Sequence, residues 1–139
     1  MNFVAVACER MLHAAGLAPT LDVAYDTFED MLQVLRAHED PASCLFAAFV
    51  MAAASAADGR DAVLFAPSLP PHRGNEDPAA LVGESAEAVA DGVAKLSRLL
   101  AARLAQAGES AADPGDQAAC ADAARSADEI YHLLRRGGS

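Results

Sequence analysis

Apolar positions along this chain recur at helical spacing, and no segment shows the alternation of a convincing strand. The clearest run is a seam that steps alternately by four and three residues: Leu21, Tyr25, Phe28, Leu32 and Leu35. This spacing keeps the side chains on one helix face and predicts a helix over residues 21–38, with Thr20 as its cap. The seam is either part of this chain's core or a surface that pairs two copies.

The next segment has no polar face. Between residues 41 and 57 the only polar side chains are two serines. Asp40 and Pro41 are typical of a helix start, and Gly59 is typical of a helix end. Because a helix that is apolar on every side must be covered by other parts of the protein, we expect a central helix here.

Three further helices are predicted from apolar stripes with flanking glycines and prolines, over residues 3–15, 78–107 and 118–136. Residues 60–66 fit either a short helix or an extended run, and the three prolines that follow exclude a helix there.

The predicted fold class is therefore all-α. We expect a single-domain bundle of four to five helices around the central apolar helix (about 41–58), with a long Pro-rich connection at 58–77. The domain is expected to span residues 1–136, with residues 137–139 as a flexible tail.

Charge and cysteine content narrow the class of protein. Twenty acidic residues against ten basic ones give a formal net charge of −10. The acids are spread along the chain and would repel a phosphate backbone, so we expect no nucleic-acid partner. Three widely spaced cysteines without a CxxC motif favour a reducing compartment.

The chain shows neither the basic region nor the long apolar run of a secretory signal. Its apolar stretches are also shorter than the ~20 residues that span a bilayer. We therefore expect a cytoplasmic protein without membrane contact. Nine arginines to one lysine, with abundant alanine, suggest a GC-rich bacterial genome.

Motifs for catalysis and cofactors are missing. No serine lies in a Gly-x-Ser-x-Gly context, there is no glycine-rich phosphate loop, and the single lysine, Lys95, lies within a predicted helix. Glu129 and His132 have the ExxH spacing of di-iron bundles, but the chain lacks the second ExxH that such sites need. We expect no metal site and no cofactor, and we lean away from an enzyme.

The connection at 58–77 is the segment where we expect function, because long irregular loops in compact domains are often binding loops. The residues predicted to bind a ligand or partner are Arg60, Asp61, Ser68, His72, Arg73 and, from helix two, Tyr25. The alternative is a plain crossover across the end of the bundle.

The sequence is compatible with two functions. The first is a non-catalytic interaction or regulatory bundle whose partner is another protein or a second copy. The second is a small-molecule-binding bundle or small biosynthetic enzyme, with a site between the helices and the 58–77 loop. A filled core with an exposed apolar patch favours the first, and a cavity of about 300 Å³ or more with convergent polar groups favours the second.

Overall fold

The computed structural model describes residues 3–71 and 85–137. Within these ranges every regular element is an α-helix. The five helices are α1 (Phe3–His13), α2 (Leu17–Ala37), α3 (Phe46–Leu64), α4 (Ala86–Ser110) and α5 (Pro114–Gly137).

Four of the helices form a closed ring. α2 packs on α3, α3 on α5, α5 on α4, and α4 on α2, while the short α1 lies against α4 and α2. The interior is filled by large apolar side chains from all four: Phe28, Phe49, Leu96, Leu100 and Ile130 are fully buried. The predicted all-α helical bundle is confirmed.

The heptad-type seam of α2 belongs to this interior. Leu21, Phe28 and Leu35 are fully buried and Leu32 nearly so, while Tyr25 is half-buried at the edge of the core. The interpretation of this seam as core is therefore confirmed, and the seam is not free to pair two copies.

α2 begins one turn earlier than predicted. Its N-cap is Gly16, the one glycine among the described residues with a positive φ, of 94°. Thr20 lies inside the helix, where its hydroxyl donates to the carbonyl oxygen of Gly16 at 2.7 Å. Pro19 is tolerated because N–H groups in the first turn have no partner within the helix.

The central position predicted for the apolar helix is wrong. α3 occupies one corner of the ring between α2 and α5, so other helices cover only part of its circumference. From its sequence this helix is expected to be surrounded by protein on every side. The structure instead leaves one of its faces in contact with solvent.

The predicted bounds of this helix, 41–58, are also wrong at both ends. Residues 41–45 form turns, because the side chain of Asp40 accepts from the N–H of Ala42 and the hydroxyl of Ser43 accepts from the N–H of Leu45. Such local side-chain bonds compete with helix. Regular helix therefore begins only at Phe46.

At its other end α3 runs past the predicted stop. Gly59 is fully helical, and a methyl group at this position would overlap the ring of Phe28 on α2. This glycine therefore allows close packing of two helices and does not end one. Helix continues to Leu64, so residues 60–64 are helical and the connection begins at Phe65.

The later helices also differ in their bounds. α4 extends beyond Gly108 to Ser110, and α5 begins at Pro114, four residues before the predicted start. The carboxylate of Asp113 accepts from the N–H of Gly115 at 2.7 Å, which suits a proline in the first helical position. The predicted start of α4 lies outside the described residues.

Candidate interaction surface

Three of the predicted site residues meet where α2 packs against α3. The Tyr25 hydroxyl donates to the Glu29 carboxylate at 3.3 Å, and Arg60 reaches the same oxygen at 3.5 Å. Arg60 also donates from Nε to Asp61 at 3.2 Å. Glu29 is the member of this cluster that the sequence reasoning did not single out.

The charges of this cluster favour a structural role. Burial lowers the pKa of Arg60, but the hydrogen bond that Arg60 donates to Asp61 and the charge of Glu29 outweigh it, so the pKa is raised overall. Burial, followed by the charge of Glu29, raises the pKa of Tyr25. Both groups therefore stay protonated at neutral pH, and the cluster acts as a polar cross-link between two helices.

Ser68 has a different position from the other predicted residues. Its N–H and its hydroxyl donate to the two carboxylate oxygens of Asp116, at 2.9 and 2.6 Å. Asp116 is buried in the first turn of α5, where its charge also suits the helix dipole. This pair fixes the segment after α3 to the start of α5, in agreement with the crossover interpretation for this part of the connection.

His72 and Arg73 lie outside the described residues. Two further histidines, His13 and His132, make local contacts. His13 hydrogen-bonds the backbone carbonyl of Glu9 at 2.8 Å, and His132 lies 3.5 Å from Asp128. In the described part of the chain no group of three or more histidine, cysteine, aspartate or glutamate side chains is placed to hold a metal ion.

The feature that the sequence reasoning missed is the solvent-facing side of α3. Positions separated by three, four and seven residues along this helix lie on one face. The exposed residues on this face are Ala47, Val50, Met51, Ala54, Asp58 and Asp61, and Phe65, the residue that caps the end of the helix, continues the same line. We call these seven residues the outer face of α3.

Large apolar side chains on the outer face are well exposed. Val50 is 40% exposed, Met51 55% and Phe65 82%, and Leu64, with 50% exposure, lies at the edge of the face. A phenylalanine side chain has roughly 150 Å² or more to bury. Apolar side chains clustered in this way mark interaction sites more often than isolated ones do.

The outer face is held on a rigid support. The opposite side of α3 buries Phe49, Ala52, Ala56 and Val63 in the core. Ser55, also buried, donates to Glu129 of α5 at 3.2 Å. A surface fixed in this way loses little entropy when a partner binds it.

Comparison of the chain with protein-family models, curated proteins and solved structures finds no match. In the described part of the chain, no helix combines the length and the apolar character that crossing a membrane requires.

Proposed function

We propose that this chain is a non-catalytic, cytoplasmic interaction protein of bacterial origin that works as a homodimer paired through the outer face of α3. The single observation that supports this function is the exposure of Val50 and Met51 on a helix whose other side is packed in the core. A stable soluble helix normally places polar residues on such a side.

The distribution of charge leaves this face open to a second copy. Each copy has a net charge of −10, so most pairs of surfaces would bring acid against acid. From Pro41 to Ala57 the chain contains no charged residue. Two copies can therefore meet along this part of α3 without direct repulsion between side chains.

An antiparallel pair crossing at Val50 and Met51 places the uncharged part of the face at the centre of the contact. Ala47 of one copy then lies near Ala54 of the other, and such small side chains let two helices approach closely. The same pairing brings Asp58 of each copy near the N-terminal turn of the other α3, where the helix dipole favours a negative charge.

The test is sedimentation equilibrium over a broad range of protein concentration. We expect reversible dimerisation with a dissociation constant on the order of micromolar, since one helix face buries less than the ~800 Å² per partner of a standard interface. The variant Val50→Glu/Met51→Glu should weaken the dimer at least about tenfold, because it places the acids of one copy directly against those of the other at the crossing point.

The chain offers a matched control on α1. Val6 is 37% exposed and Leu12 57%, close to the values of Val50 and Met51. Val6→Glu/Leu12→Glu adds the same charge and should dimerise nearly as tightly as the wild type, with circular dichroism to verify that both variants fold. A wild type that is monomeric throughout, or equal loss of dimer in both variants, would overturn the proposal.

The salt dependence of dimerisation distinguishes pairing through apolar side chains from pairing through charge attraction. Raising the salt concentration screens the repulsion between two copies of charge −10, so the dimer should become tighter. A dimer that dissociates as salt increases would contradict pairing through the uncharged part of the outer face.

A further inference from the structure

A groove between α4 and α5 is lined on both sides by basic residues. α4 contributes Lys95 and Arg98, one turn apart, and α5 contributes Arg135 together with Tyr131. The groove has a volume of about 740 Å³, within the usual range for small-molecule sites. It lies on helices other than α3 and is independent of the proposed dimer.

The charge of this groove is opposite to that of the chain. Three cations face a single carboxylate in the lining, that of Asp91, in a protein with twice as many acids as bases. Within residues 3–71 and 85–137, none of these three cations forms an ion pair with a carboxylate. Their positive charge is therefore available to an anion.

Tyr131 organises the two arginines. The Arg98 guanidinium donates to the Tyr131 hydroxyl at 3.1 Å and its central carbon lies 5.2 Å from the ring centre, while that of Arg135 lies at 5.9 Å. Such cation–π contacts position guanidinium groups without neutralising them. Each group keeps N–H donors in the fork geometry that binds phosphate or carboxylate oxygens in pairs.

We propose that the α4–α5 groove binds a small organic phosphate. Three cations on two walls match an anion with more than one charge, and Arg98 and Arg135 would each give paired hydrogen bonds to its oxygens. Leu99, half-buried in the groove lining, provides apolar surface for the organic part of the ligand.

The first measurement is calorimetric titration of the full chain with inorganic pyrophosphate and with phenyl phosphate. Both should bind, and phenyl phosphate should bind more tightly than inorganic phosphate, because its ring can contact the apolar lining. Absence of heat from both pyrophosphate and phenyl phosphate would overturn the proposal, and equal affinity for phenyl and inorganic phosphate would overturn the organic part of it.

Variants of equal net charge locate the site. Arg98→Gln/Arg135→Gln should weaken pyrophosphate binding at least about tenfold, because it removes charged donors. Arg10→Gln/Arg36→Gln removes two exposed arginines from α1 and α2 and should leave the affinity within about twofold. Equal weakening by both variants would show non-specific attraction and contradict the proposal.

Two further measurements do not depend on whether the double variant folds. Lys95 is exposed, so Lys95→Gln should fold normally and still bind pyrophosphate a few-fold more weakly than the wild type. The chain has two tyrosines and no tryptophan, so in a Tyr25→Phe protein all intrinsic emission comes from Tyr131. That emission should change with the same midpoint as the heat, and an unchanged signal at saturation would place the anion elsewhere.

Discussion

α3 and α5 are neighbours in the ring, yet they use their apolar residues in opposite ways. On α5 a narrow stripe is almost completely buried: Cys120, Ala123, Ala127, Ile130 and Leu134. Charged side chains such as Asp122 and Arg125 occupy the outside of the same helix. On α3 apolar residues continue around the helix and the core uses only one side of them.

This difference shows that apolar pattern and burial are separate quantities. The core of a four-helix ring needs one stripe from each helix, and α5 provides no more than that. α3 has more apolar residues than one stripe, and the side chains that the core does not use are exposed to solvent. An excess of this kind lowers solubility unless a partner covers it, which is why we assign the interaction to α3.

The largest contrast between the α3 region and α5 is expected in thiol reactivity, since Cys44 is exposed in the turn before α3 and Cys120 is buried in α5. Burial also raises the pKa of the Cys120 thiol, so it stays protonated at neutral pH. In dilute protein we expect an aromatic disulfide reagent to modify Cys44 at least about a thousandfold faster, because Cys120 reacts only after opening of the structure. Mass spectrometry of the modified peptides measures both rates, and similar rates would contradict the buried position of Cys120.

A smaller contrast is expected in the free energy of unfolding. Ile130→Ala on α5 removes a fully buried side chain and should lower this free energy by about 3 kcal/mol. Val50→Ala on the outer face of α3 should change it by less than about 0.5 kcal/mol in dilute protein. Urea denaturation followed by circular dichroism gives both values. A large loss from Val50→Ala would mean that this residue is packed within one copy.

The smallest contrast is expected between two glycine variants, one at the contact between α2 and α3 and one on α4. Gly59→Ala gains helix propensity but forces a methyl group into the Phe28 ring, and we expect a net loss of about 1–2 kcal/mol. Gly92→Ala on α4 meets only the side chain of Val4 on the short α1, so it should cost less in the same denaturation experiment.

A double-mutant cycle tests the cause of this loss. In a Phe28→Leu background the obstruction is smaller, and Gly59→Ala should lose most of its penalty. An unchanged penalty would show that the ring of Phe28 is not the obstacle.

Sequence reasoning could predict what depends on local periodicity. The α2 seam and the α5 stripe were placed correctly because spacings of three and four define one helix face whatever lies opposite. The all-α fold follows from these patterns. The same reasoning failed for Gly59, since a glycine required by a ring on another helix looks identical in sequence to one that ends a helix.

Contacts between residues distant in sequence could not be predicted from the sequence. The bond between Ser68 and Asp116 joins residues 48 positions apart, and Arg98 reaches Tyr131 over 33 positions. No local pattern indicates such pairs. Tyr25 and Arg60 are both predicted site residues, but the sequence gives no sign that they contact the same carboxylate. That this cluster binds a ligand or partner stays a prediction.

The short link between α4 and α5 has a consequence for the order of folding. Only residues 111–113 separate these helices, which form the most extensive contact between any two helices of the described chain. Closing so small a loop costs little chain entropy and takes well under a microsecond. We therefore expect this helical hairpin to assemble first, and α3, whose contact with α5 spans a far longer loop, to dock onto a surface that is already formed.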